Sequence, residues 1–357
     1  MNRLKAIAAS LLVCVGLHAQ TAAQLLIDRL DGLRKYGIMI GQQDATVYGS
    51  TWKWEEGRSD VKELVGDYPA VIGFDLGKLE LDSGKNLDGV PFERMQREIL
   101  VQHARGGIVT LSWHPWNPAT GNNAWNPEGN AVKEVLPGGS LHGKFNGWLD
   151  KVANFILSLR TYDGKMVPVI FRPWHEMSGA WFWWGTGSCT TEEYVAFYQY
   201  THDYLEKVRG CDNVVWAYSP NVMDGQGDEG VIRTYYPGNA YVDMIGFDIY
   251  EFDGDNAAYA SKLRKGLEAV TKVAAEEGKI GVLSETGCRA LKDTTWFTET
   301  LWPVLRDYHL SYVLFWRNAW DQADERYLPA KGDPAADDFV RFAGLEETLF
   351  INDIKEK

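Results

Sequence analysis

Eight short apolar runs, separated by helix-length segments, limit what this chain can fold into more than any other feature. They cover residues 36–41, 70–76, 108–113, 167–171, 214–219, 244–249, 280–284 and 312–316. Several are apolar at almost every position, as a strand covered on both faces must be; a half-solvated strand would alternate. Between them, helical periodicity predicts helices over 92–105, 145–160, 191–209, 257–277 and 295–308. Gly106, Gly210 and Gly278 stand where a helix must stop before the next strand, and Thr190 with Glu193 has the spacing of a capping box. Strand and helix alternate eight times, with no Pro-, Gly- or Ser-rich linker. This predicts one α/β domain over residues 24–357, a (β/α)8 TIM barrel. An open doubly wound sheet would more naturally carry a glycine-rich phosphate turn after an early strand, and none is present.

The first residues have a different character. Arg3 and Lys5 precede an apolar stretch, 6–17, shorter than the roughly 20 residues a membrane-spanning helix needs. With Ala19 and Ala23 available before a cut, residues 1–23 read as a secretory signal cleaved near 19–23, and the expected location is the periplasm or the medium. Val13 stands before Cys14 where a lipoprotein signal requires a small residue, so no lipid anchor is expected. Removing Arg3 and Lys5 from the 36 basic residues leaves 34 against 49 acidic ones, a net charge of −15. That surplus, without a basic cluster, argues against a nucleic-acid partner. No later segment is suited to crossing a membrane, and no extended apolar face demands a protein partner. Cys189 and Cys211 flank the helix predicted over 191–209. Its ends lie nearly 30 Å apart at about 1.5 Å per residue, whereas a disulfide needs Cα atoms within about 7 Å. Cys189, Cys211 and Cys288 are therefore expected as free thiols.

In a barrel of this kind the reactive groups gather at the C-terminal ends of the strands. Here those ends read Ser112-Trp113-His114-Pro115-Trp116, Arg172-Pro173-Trp174-His175-Glu176, Asp248-Ile249-Tyr250-Glu251, Glu285-Thr286-Gly287 and Trp316-Arg317-Asn318. Aromatic, polar and ionisable side chains thus collect on one rim. Trp181, Phe182, Trp183 and Trp184 follow Glu176 at once, and aromatic faces suit the flat apolar faces of sugar rings. Two carboxyl groups across a barrel mouth, about 5–5.5 Å apart, are the apparatus of retaining glycoside cleavage. Glu285 is expected as nucleophile and Glu176 as acid/base. The segment 114–145, rich in Asn, Gly, Pro and Trp, is too long for a routine connection and is expected to wall the cleft. The six histidines beyond the signal are scattered, with no His-x-x-x-His pair, so no metal is expected. No Gly-x-Ser-x-Gly or His-Glu-x-x-His string supports an esterase or a protease.

The string His175-Glu176-Met177-Ser178-Gly179-Ala180-Trp181-Phe182-Trp183-Trp184-Gly185 resembles the acid/base segment of glycoside hydrolase family 26, and Ser284-Glu285-Thr286-Gly287 its nucleophile segment. Trp113-His114-Pro115, Asp248-Ile249-Tyr250 and Phe315-Trp316-Arg317-Asn318 are similar to further motifs in the same order. The resemblance covers essentially the whole chain beyond the signal. It implies endo-hydrolysis of β-1,4-mannosidic bonds in mannan, galactomannan or manno-oligosaccharides, with retention and without a metal or organic cofactor. Related enzymes cut mixed-linkage β-glucan or β-1,3-xylan, and a barrel that only binds sugar would lack one of the two glutamates. The same resemblance gives Tyr250 a hydrogen bond to the nucleophile. It places His114, His175, Trp181, Trp316 and Arg317 around the sugar subsites. Asp248, at the end of the sixth strand, is expected either to contact sugar or to orient a neighbour.

Overall fold

A computed structural model describes residues 20–221, 229–355 and 357. Its centre is eight parallel strands: β1 (Ile38–Gln43), β2 (Val71–Asp75), β3 (Ile108–Trp113), β4 (Val169–Pro173), β5 (Val214–Tyr218), β6 (Met244–Ile245, resumed at Asp248–Glu251), β7 (Ile280–Gly281, resumed at Leu283–Cys288) and β8 (Tyr312–Phe315). Each pairs with the next, and β8 returns to β1 through Met39↔Tyr312 to Gln42↔Phe315. The circle closes, so the (β/α)8 barrel expected from the sequence is the fold. Every residue of β1 to β5 and of β8 is buried, which is why those runs are largely apolar, with buried polar residues such as Gln42, Gln43, Asp75, Ser112 and Arg172 toward their C-terminal ends.

Two layers of apolar packing hold the barrel. Inside it, Met39, Val71, Ile170, Val215, Met244 and Ile280 share a cluster with Leu26, Leu30 and Leu33 of the first helix, Ala22–Leu33. That helix plugs the N-terminal mouth and leaves the opposite mouth for a site. Outside it, Ile72, Val109 and Phe171 pack with residues of the surrounding helices, such as Ile99, Val152 and Leu267. Each such buried side chain contributes about 1.5–3 kcal/mol before chain entropy is counted. β6 and β7 approach closely at Gly246, where a Cβ would meet the Ser284 hydroxyl and a Val282 methyl at 2.7 Å. That approach brings the upper parts of the two strands into the register Glu285↔Asp248.

Several boundaries move. β1 starts at Ile38, leaving Tyr36 exposed. β7 runs on to Cys288, so Glu285 lies within the paired strand rather than just beyond it. The helix expected from residue 145 starts at His142, and Thr191–Asp203 continues into a π-helical turn, Tyr204–Val208. Thr190 and Glu193 form the capping box, and Gly278 ends Asn256–Glu277 in the left-handed conformation, φ +66°. Met39 and Met244 are fully buried, while Met166 is only partly so. Cys189, Cys211 and Cys288 are free. Among the described residues no helix is long and apolar enough to cross a membrane. Most of the expected signal, with Cys14 and Ala19, lies outside the described residues. Ala23 lies in the first helix, whose cap is Thr21, so a cut there would remove the cap and the helix start.

Candidate active site

The chain leaves β4 through a strained turn. Trp174 and Glu176 both take left-handed backbone conformations, φ +57° and +55°, which residues with a Cβ adopt reluctantly. Hydrogen bonds fix the turn from several sides. The Glu176 N–H donates to the Ser219 carbonyl at 2.8 Å, and the Tyr194 hydroxyl donates to the Trp174 carbonyl at 2.9 Å. The Trp184 indole donates to the His175 carbonyl at 2.8 Å, and that of Trp183 to the Pro115 carbonyl at 2.9 Å. Trp183 and Trp184 are fully buried and act as packing. Trp181 is half-buried and lines the cleft instead.

Glu176 receives two neutral donors, the Asn221 amide on Oε1 and the Trp181 indole on Oε2, each at 2.9 Å. Burial and the facing charge of Glu285 outweigh them and push its carboxyl up to about 7. Glu285 is set differently. The Arg172 guanidinium donates to its Oε1, and the Tyr250 hydroxyl to its Oε2 at 2.5 Å. Burial first, then the Glu285 charge, keep the Tyr250 phenol protonated and therefore a donor. Arg172 also donates to Asp248 Oδ2 at 2.8 Å and to the Ser219 hydroxyl at 3.0 Å, while the Ser284 hydroxyl donates to Asp248 Oδ1 at 2.7 Å. Both Asp248 oxygens are taken and the residue has no exposed surface. Asp248 thus stands against Arg172 and Ser284, buried behind the cleft. Ligand-type atoms of His175, Asp248 and Glu285 fall within 4.8 Å of one another, but a guanidinium already bridges the two carboxylates. This donor set suits Arg172 rather than a metal ion.

A cleft of about 490 Å³ opens above these groups. Of the residues singled out in the sequence, His114, His175, Glu176, Trp181, Tyr250, Glu285 and Trp316 line it. Arg317 stands behind the lining, 2.8 Å from Asp88 Oδ1 and 3.7 Å from Glu325 Oε2. The long segment after β3 does form a wall: Trp125 stacks on His114 with ring centres 5.1 Å apart and lies about half exposed in the cleft. Asn221, Phe252 and Tyr327 also line it, and nothing in their local sequence marks them. Asp75, at the end of β2, was likewise missed, yet its Oδ2 lies 2.7 Å from His114 Nδ1. In the sequence Asp75 is only the penultimate position of the apolar run 70–76, and only the fold brings it to His114.

Residues 15–313 match glycosyl hydrolase family 26. A mannan endo-1,4-β-mannosidase of Bifidobacterium adolescentis is 33% identical over 94% of this chain; the chain spans about a third of that protein's length, 35%. The solved structure of a β-mannanase from Bacteroides ovatus is 40% identical, with 93% of this chain and 95% of that one covered and a TM-score of 0.90. The catalytic domain of an endo-β-1,4-mannanase from a Bacillus species is 32% identical, covering 94% and 93%, with a TM-score of 0.85.

Proposed function

This chain belongs to glycosyl hydrolase family 26, and from that premise we propose that it is a retaining endo-β-1,4-mannanase acting on mannan, galactomannan or manno-oligosaccharides. The observation that carries the reading is the unequal pair of carboxyls in one cleft: Glu176 raised to about 7 by burial and by Glu285, and Glu285 held by Arg172 and Tyr250. A protonated Glu176 can give its proton to the glycosidic oxygen while Glu285 attacks the anomeric carbon. Arg172 and Tyr250 hold Glu285 so that one oxygen faces the sugar. Once Glu285 is esterified, the charge that raised Glu176 is gone, and Glu176 becomes the base that draws a proton from the attacking water. Water then releases the sugar with its original configuration. Trp125, Trp181 and Trp316 supply apolar faces for sugar rings along the cleft. The names of the relatives support the choice of mannan over other β-glycans. The proposal includes export, directed by the basic and apolar residues before Ala19.

The test is proton NMR of the mature protein acting on linear β-1,4-mannopentaose, read within minutes. β-Anomeric products at first, mutarotating later, are the expected result. Early α-anomers would overturn the double displacement and the roles of both glutamates. No cleavage would overturn mannan as the substrate, and the same assay on mixed-linkage β-glucan and β-1,3-xylan would follow.

A further inference from the structure

A line of three polar side chains runs from the barrel wall to the cleft. Asp75 is wholly buried at the end of β2. Its Oδ1 accepts from the Gly77 N–H at 2.7 Å, and its Oδ2 accepts from the Ser112 hydroxyl at 2.7 Å and faces His114 Nδ1 at the same distance. His114 Nε2 lies 3.0 Å from His175 Nε2. Only one hydrogen fits between two such nitrogens. The far nitrogen of His175, Nδ1, is buried and has no hydrogen-bond partner among the described residues, although the ring lines the cleft beside Glu176. We propose that Asp75 is a positioning residue: through His114 it sets which nitrogen of His175 carries hydrogen, so that while His114 is charged His175 keeps its Nδ1–H for a hydroxyl of the bound sugar. The sugar in this statement rests on the mannanase reading; the placement of protons in the free protein does not.

The argument is a count of hydrogens. An ionised Asp75 requires a hydrogen on His114 Nδ1. If His114 is an imidazolium, its Nε2–H donates to His175, and a neutral His175 must carry its own hydrogen on Nδ1. If His114 is neutral, its Nε2 is a lone pair, and His175 must turn its hydrogen inward and leave Nδ1 an acceptor. The surrounding charges choose between the two. Burial opposes charge on His114, but Asp75, helped by Glu285, outweighs both burial and Arg172 and holds it above the ordinary histidine range. Asp88 is a further carboxyl that feels this charge. Burial, Arg172 and His114 hold His175 well below that range, although Asp248 and Glu285 stand close to it. Trp125, Phe182 and Trp184 complete the walls with uncharged rings. At weakly acidic pH the extra proton therefore belongs to His114. Raising the pH through its titration reverses the hydrogen bond and with it the polarity of His175 Nδ1.

Asp75→Asn separates this from a structural role. Its amide oxygen can keep the Gly77 N–H, and its amide hydrogens then face Ser112 and His114 Nδ1. His114 becomes neutral with its hydrogen on Nε2, so it still donates to His175, now at every pH. The experiment is a nitrogen-15 NMR titration of the imidazoles in the ligand-free mature protein from about pH 5 to about pH 9, with His175 assigned by its loss in His175→Gln. In the unaltered protein His175 is expected to carry hydrogen on Nδ1 at acid pH and to switch to Nε2 as His114 deprotonates; in Asp75→Asn no switch is expected. In parallel, kcat/KM is measured on dinitrophenyl β-mannobioside, whose leaving group needs no proton from Glu176. It should fall about tenfold through the same transition, the value of one hydrogen bond, and Asp75→Asn should abolish the fall. A structural Asp75 would lower the rate at every pH and leave the profile's shape. Hydrogen on His175 Nε2 at acid pH, or an unchanged switch in Asp75→Asn, would overturn the proposal, and the first of these needs no variant to fold. The NMR switch without any mannobioside cleavage would support the relay and fail the substrate reading instead.

Discussion

The ends of β4 and β7 each deliver a glutamate to one cleft, and the two surroundings differ in charge. Around Glu176 stand an indole, an amide and aromatic rings, with a carboxylate as its largest charged influence. Around Glu285 stand a guanidinium and a phenol. The first setting favours the form that can give a proton away, and the second favours the form that can attack. Two identical side chains thus acquire two roles from their neighbours. Arg172 is the residue that makes the difference: its guanidinium touches Glu285 and Asp248, while Glu176 meets only neutral donors.

The comparison breaks most completely if Glu285 is removed. Glu285→Ala should lower kcat on mannan by roughly 10⁴- to 10⁶-fold, the scale of losing a covalent nucleophile. Added azide should restore turnover as the α-mannosyl azide, and a β-azide product would contradict the role. Glu176→Gln should lower kcat/KM on mannan by about 10²- to 10⁴-fold, the range for general acid catalysis. The unaltered enzyme should lose kcat/KM as pH rises through about 7, because the raised carboxyl then gives up the proton it must donate. Glu176→Gln should show no such limb, and a limb that persists would assign the titration elsewhere. Tyr250→Phe removes a hydrogen bond to a charged group, worth about 1.5–3 kcal/mol, and should lower kcat by roughly 10- to 150-fold with little change in KM. Equal loss in KM would make Tyr250 a sugar ligand instead. The finest adjustment is Asn221→Ala. Losing that donor should raise the Glu176 carboxyl further and move the alkaline limb to higher pH; a limb moving down would reverse the assigned effect of the amide.

The barrel was legible because its strands carry their burial in their composition. A strand covered on both faces has few polar positions to spare, so the near-continuous apolar runs of β2, β3 and β5 stand out without any partner being known, with polar residues such as Asp75 and Ser112 toward their C-terminal ends. Glu176, His175 and Trp181 were legible for a second reason, since one contiguous string supplies them. What stayed hidden depends on contacts across the mouth. Asp75 gains its meaning from His114, 39 residues on, and Asn221 from Glu176, 45 residues back. Arg172 showed itself in the sequence only as one polar residue in the string that ends the fourth strand. Its choice of Glu285 and Asp248 comes from the way β4, β6 and β7 converge, as does the placing of Asp248 behind the wall. Local pattern reports burial and turn chemistry; it does not report which charges meet at the end of a barrel.

The left-handed turn at Trp174 and Glu176 bears on how this protein can be improved. Each such conformation costs about 1–3 kcal/mol relative to a relaxed backbone, and Glu176 adds a carboxyl buried beside another. Asparagine or glycine at 176 would relieve both burdens and remove the acid. A selection for thermostability that never asks for sugar cleavage would therefore be drawn to the position the reaction cannot lose.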